Sequence, residues 1–357
     1  MIPMPREDTG LWSDDEPLEC VMVVPEVPGV KTFVFRPPSG RTFLFRAGQF
    51  LTLELPVPLG PVHRTYTISS SPASNAYVSV TVKVQTGSIA SRWMHNHLVP
   101  GMRLKASGPA GAFHLPRQPD GKYLFIGAGS GLTPMMSMAA FLFERGEEPD
   151  VSFVAVARKP SELIFRKKLE YMASRVLGLR LHFVVGQDEP YEVWTGYRGR
   201  FNQLMLGLTT PDYLDRDVYC CGPESFMTSV REMLIALGYD MSRYHQESFH
   251  APVGHAEEVA VPVDVTPSDA APAEVIFAAS GKSVTCTQTD TVLKLAKAAG
   301  LNIPSGCNFG LCGTCKVRKL SGEVHMVHNG GITEDEVADG YILACCAQPM
   351  GRVEVAV

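Results

Sequence analysis

SGCNFGLCGTC, at residues 305–315, is the stretch that decides how the C-terminal part of this chain folds. It sets Cys307, Cys312 and Cys315 in the pattern C-x4-C-x2-C. Iron–sulfur clusters are held by soft thiolate ligands, and close spacing in one loop brings several thiolates to one cluster. Glycines in the same loop allow the backbone to curl and to aim amide N–H groups at sulfur. The pattern therefore predicts an iron–sulfur cluster that takes its remaining ligand from elsewhere in the chain.

The remaining ligand is expected in the segment YILACCAQP, where Cys345 and Cys346 are neighbours. In an extended segment neighbouring side chains point to opposite sides, so we expect only one of the two to bind iron. The cysteine loop and this segment together resemble plant-type ferredoxins, which implies a [2Fe–2S] cluster with Cys345 as its fourth ligand. The alternatives are buried thiols without a metal and a zinc site around Cys312 and Cys315. Zinc ribbons, however, normally have two C-x2-C pairs.

Composition excludes several classes of protein. The chain has 357 residues, which allows two or three domains, and its 45% hydrophobic and 19% charged residues suit folded cores. The net charge is −5 and Lys and Arg form no basic run, so we expect no nucleic-acid partner. No apolar run reaches the roughly 18 residues of a membrane span, and the N-terminal residues do not resemble a signal peptide. We therefore expect a cytoplasmic protein with no membrane partner.

The hydrophobic pattern changes along the chain. Short β-rich runs such as FLTLELPV and YVSVTVKVQ predict an antiparallel β-barrel over residues 18–118, after an N-terminal tail over 1–17. Apolar strands that alternate with helical stretches, beginning with YLFIGAG, predict a parallel-sheet α/β domain over 119–250. A segment rich in Pro, Ala and acidic residues is interpreted as a linker over 251–272. It precedes an α+β domain of the ferredoxin (β-grasp) type over 273–357.

The segment HRTYTISSSP ends a predicted barrel strand. It resembles the first motif of the ferredoxin–NADP reductase superfamily, Arg-x-Tyr-Ser-x-x-Ser, which spans residues 64–70 here and includes Ser69. The resemblance implies that Arg64 binds the flavin pyrophosphate, since a guanidinium matches phosphate geometry. It also implies that Tyr66 lies against the isoalloxazine ring and that Thr67, in place of the usual Ser, supplies a hydroxyl near flavin N5. A core tyrosine and a surface arginine are the alternative for this motif taken alone.

A second segment, VKVQTGSIASRWMHNHL, matches the same superfamily at Lys83, Gly87 and Ser91. Gly87 permits a tight turn, and the amides of Ile89, Ala90 and Ser91 at the start of a helix form a phosphate-binding nest. This nest and the segment PAGAFHL resemble the FAD-binding members more than the FMN-binding ones. We therefore expect FAD, held by both motifs.

The nicotinamide motif is GAGSGLTPMMSM, between a predicted strand and a predicted helix. Gly127, Gly129 and Gly131 permit the close approach of a diphosphate, and Pro134 suits the first turn of the helix. The spacing departs from G-x-G-x-x-G, so the glycines alone do not license an ordinary Rossmann assignment. They resemble the glycine-rich loop of the reductase superfamily, which is followed by Thr-Pro. That resemblance places Thr133 near the nicotinamide.

Two later segments complete the predicted site. Cys221, Gly222 and Pro223 match the Cys-Gly-Pro of the superfamily, which implies that Cys221 lies beside the position of hydride transfer. The alternative is a small core cysteine. ESFHAP resembles the end of related nicotinamide domains, where an aromatic side chain covers the flavin and a carboxylate lies nearby, which suggests Phe249 and Glu247. We predict Cys221, Thr67 and Glu247 as catalytic residues.

The adenosine end of the coenzyme site is ambiguous in the sequence. ARKPSE offers the cations Arg158 and Lys159, which suit the 2′-phosphate of NADPH, and then the carboxylate of Glu162, which suits the 2′-hydroxyl of NADH. We include Arg158 among the coenzyme-binding residues. We expect NADH rather than NADPH, because the oxygenase reductases that the chain resembles use NADH.

The order of the three domains resembles the reductase components of two-component Rieske oxygenases that demethylate quaternary amines such as glycine betaine. The resemblance implies an enzyme that passes electrons from NADH to FAD, then to the [2Fe–2S] cluster, and finally to a Rieske-type oxygenase. One alternative is a reductase for another acceptor, such as hybrid-cluster protein. The other is a redox-sensing iron–sulfur module without turnover, which the intact nicotinamide motifs disfavour.

Overall fold

A computed structural model gives the structure of the protein. It describes residues 10–58, 60–146, 149–190, 192–249, 267–268, 271–303, 305, 310, 313, 315–328 and 331–357. The chain divides into two compact units, Met1–Phe249 and His250–Val357. Among the described residues, no helix is both long enough and apolar enough to cross a membrane.

The first unit begins with two antiparallel sheets. One has the strand order β5-β2-β1-β6 and the other β4-β3-β7, and a bridge between Ile68 and Val80 joins their edges. Alternate residues point inward to a shared apolar core, so the predicted antiparallel barrel is confirmed. Trp12, before the first strand, also packs in this core, with its ring 5.3 Å from that of Phe43. The elements are β1 (Leu18–Val27), β2 (Val30–Arg36), β3 (Phe50–Val57), β4 (Gly60–Thr67), β5 (Val78–Lys83), α1 (Ile89–His97), β6 (Arg103–Leu104) and β7 (Ala106–Ala110).

The rest of the first unit is a six-stranded parallel sheet with helices, as the alternating pattern predicts. The strand order is β11-β10-β9-β8-β12-β13, so the direction of winding reverses between β8 and β12. In such sheets ligands bind at the carboxyl ends of the strands beside the reversal. The elements are β8 (Lys122–Ala128), α2 (Leu132–Glu144), β9 (Asp150–Ala157), α3 (Arg166–Ala173), β10 (Leu179–Val185), β11 (Tyr197–Arg198), α4 (Gln203–Thr209), β12 (Asp217–Cys221), α5 (Glu224–Ala236) and β13 (Tyr244–Glu247).

A fully buried arginine ties together the opposite, amino ends of these strands. Arg216 donates to the carbonyl oxygens of Tyr123 and Asp150 at 3.1 and 3.2 Å. It also forms ion pairs of 2.8 and 2.7 Å with Asp150 and Asp212. Burial of its charge is tolerated because it is paired and hydrogen-bonded. The predicted coenzyme residues lie at the carboxyl ends of the strands, away from this network.

The second unit has a mixed five-stranded sheet with the order β15-β14-β20-β16-β18 and a two-stranded sheet, β17-β19. Strands β14 and β20 are parallel, and the other pairs of this unit are antiparallel. Helix α6 packs its apolar face on the sheet, which confirms the predicted α+β domain. The elements are β14 (Pro272–Phe277), β15 (Lys282–Thr287), α6 (Val292–Ala298), β16 (Lys316–Ser321), β17 (Val324–Met326), α7 (Glu334–Ala338), β18 (Tyr341–Leu343), β19 (Ala347–Pro349) and β20 (Arg352–Val355).

Candidate functional site

The first predicted flavin motif occupies the end of β4 and the turn after it. The Arg64 side chain is exposed, and its guanidinium donates to the His63 carbonyl oxygen at 2.8 Å. Tyr66 packs against the barrel core, and burial raises the pKa of its hydroxyl. Thr67 and Ser69 are buried, at 6% and 3% exposure. The motif therefore presents one solvent-accessible cation beside two buried hydroxyls.

A chain of hydroxyl groups fixes the end of this motif to the barrel. Ser69 Oγ lies 2.9 Å from Thr81 Oγ1, which lies 2.7 Å from Thr32 Oγ1. Thr32 in turn donates to Glu26 Oε1 at 2.6 Å. Sequence reasoning missed this network, because its members come from different strands. The pairing of Thr32 with Thr81 depends on the register of β2 and β5.

The second predicted flavin motif forms the N-terminus of α1. Gly87 has a φ of +83°, a conformation that favours glycine. Ser88 caps the helix by accepting a hydrogen bond from the Ser91 amide at 3.3 Å. The amides of Ile89 and Ala90 donate to no residue in the described part of the chain. These two amides, rather than all three in the predicted nest, are available to a phosphate.

The glycines of the nicotinamide motif lie in a short turn between β8 and α2. Gly129 takes a left-handed φ of +57°. A Cβ on Gly131 would overlap the Cys221 carbonyl oxygen and lie 2.6 Å from the Gly222 nitrogen. On Gly127 it would lie 2.7 Å from Leu132 Cδ2. Gly127 and Gly131 thus allow the turn to pack closely against Leu132 and the end of β12. The approach of a diphosphate to this turn stays a prediction.

Thr133 and Pro134 lie in the first turn of α2 and are both buried. Thr133 Oγ1 donates to the Ser130 carbonyl oxygen at 2.9 Å. Pro134 lacks an amide hydrogen, but in the first turn of a helix that amide has no intrahelical acceptor. The sequence therefore begins a helix at the carboxyl end of β8, as the motif predicts.

Cys221 and Glu247 lie side by side at the carboxyl ends of β12 and β13. Cys221 is fully buried, in the same apolar cluster against which Phe249 packs. Burial, with a smaller contribution from Glu247, raises the pKa of the Cys221 thiol well above its ordinary value. The thiol is therefore protonated at neutral pH.

Glu247 is the carboxyl group that meets the flavin motif. Burial raises its pKa to about 8, while hydrogen bonding from Thr67 acts in the opposite direction. Its Oε2 atom is buried and has no hydrogen-bond partner among the described residues. The end of β13 and the flavin motif on β4 thus meet at one point, where a neutral carboxyl, a neutral thiol and a threonine hydroxyl converge.

The rest of the Cys-Gly-Pro motif begins α5. A Cβ on Gly222 would lie 2.9 Å from Phe226 Cδ1 and 3.0 Å from the Ala128 Cβ, so a side chain does not fit. Pro223 is the N-cap residue of the helix. Both residues fix the direction in which the chain leaves Cys221.

The predicted adenosine cation is held by a carboxylate. Arg158 makes a bidentate ion pair with Glu162, with both N–O distances at 3.0 Å, although its side chain is exposed. Lys83, on the barrel strand β5, lies 3.8 Å from the same carboxylate. Glu162 therefore joins the predicted flavin lysine and the predicted coenzyme arginine, a contact that the sequence did not reveal.

Two of the four predicted cluster ligands are described, and Cys307 and Cys312 lie outside the described residues. Cys315 and Cys345 are buried, at 2% and 8% exposure. The Cys345 amide donates to Cys315 Sγ at 3.4 Å, and the Gly310 amide donates to Cys345 Sγ at 3.3 Å. Amide hydrogen bonds to sulfur are typical of the surroundings of iron–sulfur ligands, so these residues fit a cluster.

The segment around Cys345 differs from the prediction in one respect. Cys345 and Cys346 lie in the turn between β18 and β19, not in an extended segment, so the argument from opposite side-chain directions is wrong. Cys346 is half-buried, and its Sγ contacts the Leu343 carbonyl oxygen at 3.7 Å. A Cβ on Gly310 would lie 2.9 Å from that Sγ. Both sulfur atoms thus lie near Gly310, and the choice of Cys345 stays a prediction.

Three domain families and several individual proteins are similar to this chain. Models of an oxidoreductase FAD-binding domain, an oxidoreductase NAD-binding domain and a 2Fe-2S iron-sulfur cluster binding domain match residues 26–115, 125–232 and 276–350. The chain is 59% identical to the stachydrine N-demethylase reductase subunit of Rhizobium meliloti, over 97% of this chain and 98% of that one. It is 43% identical to the glycine betaine monooxygenase reductase subunit of Pseudomonas aeruginosa, over 97% of each chain.

The solved structure of phthalate dioxygenase reductase has the same fold. It matches with a TM-score of 0.58 and 23% identity, over 97% of this chain and all of that one. The two available amides of α1, the buried carboxyl at the flavin motif and the amide–sulfur bonds fit the flavin and the cluster that these domains bind. The chain therefore belongs to the family of FAD- and NAD-binding oxidoreductases with a C-terminal 2Fe-2S domain that serve as reductase subunits of oxygenase systems.

Proposed function

We propose that this reductase supplies electrons from NADH to a Rieske-type oxygenase that demethylates a quaternary amine. The observation that carries the proposal is the match over nearly the whole chain to two reductase subunits, one named for stachydrine and one for glycine betaine. Both compounds are N-methylated quaternary amines. NADH is a reductant of the cytoplasm, so the proposal places the reaction there.

The flavin motifs supply the residues for FAD. In this proposal Arg64 and the amides of Ile89 and Ala90 bind the pyrophosphate, because a guanidinium and a helix N-terminus both attract anions. Tyr66 packs against the ring, and Thr67 provides a hydroxyl beside it. When bound, FAD supplies the chemistry that accepts a hydride and releases electrons one at a time.

Where the end of β13 meets the flavin motif on β4, the protein supplies a carboxyl group that can exchange protons. Glu247 is protonated at neutral pH because burial raises its pKa to about 8. A carboxyl with a pKa close to the working pH can both donate and accept a proton. Cys221, whose thiol is protonated, adds no charge beside it. In this proposal Glu247 holds a proton on its carboxyl beside the Thr67 hydroxyl, while Cys221 and Phe249 shape an apolar wall.

The ion pair after the end of β9 supports the proposed preference for NADH. Glu162 holds the Arg158 guanidinium through both of its nitrogen donors. The carboxylate therefore neutralises the cation that a 2′-phosphate would need, and it repels that phosphate. It can instead accept a hydrogen bond from a ribose hydroxyl, as acidic residues at this end of a parallel sheet do.

In the second unit, Cys315 and Cys345 together with Cys307 and Cys312 are proposed to hold the [2Fe–2S] cluster. The amide hydrogen bonds to Cys315 and Cys345 stabilise thiolate charge in a buried place. A cluster carries single electrons, which matches the need of a Rieske-type acceptor.

Reconstitution tests this proposal. The purified reductase, NADH and a purified Rieske oxygenase that acts on stachydrine or glycine betaine are mixed in air with that amine, and formaldehyde released by demethylation is measured. We expect product only when all three components are present. Rapid NADH oxidation without reduction of the oxygenase, together with efficient reduction of an unrelated acceptor such as hybrid-cluster protein, would contradict the proposed partner.

A further inference from the structure

Helix α2 makes a buried hydrogen bond to the turn at the end of the first flavin motif. Ser137 is fully buried, and its Oγ donates to the Ser70 carbonyl oxygen at 2.6 Å. The two residues are 67 positions apart in the chain. One belongs to the parallel-sheet part of the first unit and the other to the barrel. This bond therefore joins the element that carries the coenzyme motif to the element that carries the flavin motif.

The Ser70 turn is fixed on its barrel side. The Ser79 amide donates to Ser70 Oγ at 3.0 Å, and the Ser69 amide donates to the Ser79 carbonyl oxygen at 2.7 Å. Ser69 Oγ also bonds Thr81 Oγ1 at 2.9 Å. The turn cannot shift easily relative to the barrel, so Ser137 binds a rigid acceptor. Its hydrogen bond thus positions α2 rather than the turn.

Ser137 also shares a helix face with the coenzyme motif. It follows Thr133 by four residues, and residues four apart lie above one another on a helix. Thr133 is the motif residue proposed to lie near the nicotinamide. The next residue along, Met138, packs with its Cε 2.6 Å from where a Cβ on Gly48 would be, so the same helix also contacts the barrel there.

We propose that Ser137 is a positioning residue that sets the placement of the nicotinamide-binding end of α2 relative to the flavin motif. This inference rests on the proposed roles of the flavin motif and of Thr133. Hydride transfer needs reacting atoms held about 3–3.5 Å apart, and a displacement of about 1 Å can cost about a hundredfold in rate. When the bond is lost, the FAD-binding residues stay in place, but the nicotinamide-binding end of α2 can shift relative to them.

The test uses the full-length protein with its FAD and cluster, and the variant Ser137→Ala. Flavin bleaching by NADH is followed in an anaerobic stopped-flow instrument over a range of NADH concentrations. We expect the limiting rate to fall roughly 10- to 100-fold, while the NADH concentration giving half of it changes less than about threefold. The long-wavelength charge-transfer absorbance between nicotinamide and flavin should weaken. FAD content should be unchanged.

The matched control is Ser229→Ala on α5, where the exposed serine hydroxyl bonds the Ser225 carbonyl oxygen of its own helix at 2.9 Å. It should behave as the unsubstituted protein does. A second measurement needs no cofactor: hydrogen exchange in the full-length apoprotein should quicken in Ser137→Ala, but not in Ser229→Ala, for peptides covering the start of α2, and should stay unchanged for residues 68–74.

The outcomes separate this inference from the proposed function. If the unsubstituted protein holds FAD and is bleached by NADH, but Ser137→Ala keeps a limiting rate within about twofold and normal charge-transfer absorbance, only the positioning role is overturned. A change confined to NADH affinity would overturn it as well. If the unsubstituted protein is not bleached by NADH, the proposed function fails and this inference with it.

Discussion

Replacing Glu247 with Gln should make the first unit more stable at neutral pH, although the residue lies at the proposed catalytic point. The carboxyl has a pKa of about 8 in the folded protein against 4.5 ordinarily, because burial disfavours its charge. Below pH 4.5 the carboxyl is protonated in both the folded and the unfolded protein, so it contributes nothing to the pH dependence of stability. Between pH 4.5 and 8 the unfolded chain ionises first, so the folded state loses stability as the pH rises.

The size of this effect follows from the shift. At pH 7 the folded protein gives up roughly 3 kcal/mol to keep Glu247 protonated, at about 1.4 kcal/mol for each pH unit above the ordinary pKa. Gln has nearly the same shape and no charge. We therefore expect Glu247→Gln to equal the unsubstituted protein at pH 4.5 and to exceed it increasingly up to pH 8.

The assay is urea unfolding of the apoprotein at pH 4.5, 6, 7 and 8, followed by tryptophan fluorescence. All three tryptophans of the chain lie in the first unit, so the signal reports on its unfolding. Glu232→Gln, on the exposed side of α5, is the control and should show no pH-dependent gain. A difference between Glu247→Gln and the unsubstituted protein that is the same at every pH, or that shrinks as the pH rises, would refute the reasoning.

Three further predictions concern the coenzyme and the cluster. Glu162→Gln should release the paired guanidinium and raise kcat/KM for NADPH relative to NADH by about tenfold, in steady-state kinetics; an unchanged ratio would place the 2′ position elsewhere. Gly131→Ala forces a methyl group into the backbone at the end of β12 and should cost about 2 kcal/mol or more in urea unfolding, whereas Gly207→Ala, in open space, should not. Cys345→Ser should abolish the cluster absorbance and acid-labile sulfide, while Cys346→Ser should keep both; the reverse pattern would exchange their roles.

Local motifs made much of this protein predictable. A cluster needs several thiolates in one loop, and a turn such as that at Gly87 needs a positive φ, so residue type and spacing carry the information directly. The alternation of apolar strands with helices likewise predicts the parallel sheet, because strands buried on both faces are apolar throughout. These features explain why the domain order and fold were accessible from sequence.

Contacts between distant segments were not accessible. The bond from Ser137 to Ser70 and the approach of Lys83 to Glu162 depend on how strands and helices pack, and no local sequence pattern predicts them. Local reasoning also failed where it assumed a backbone conformation: Cys345 lies in a turn rather than an extended segment. At Gly131 the structure adds a reason for glycine that the sequence does not show, the close approach of the backbone at the end of β12, while the binding of a diphosphate there stays a prediction.

The central claim is that electrons from NADH reach the acceptor through the flavin and then the cluster. The most direct test mixes NADH anaerobically with the purified reductase and a Rieske oxygenase, and follows flavin, cluster and oxygenase absorbance in time. We predict that the flavin is reduced first and the cluster next, and that Cys345→Ser still shows fast flavin bleaching but leaves the oxygenase oxidised. Reduction of the oxygenase by Cys345→Ser at an undiminished rate, with no cluster present, would contradict the account.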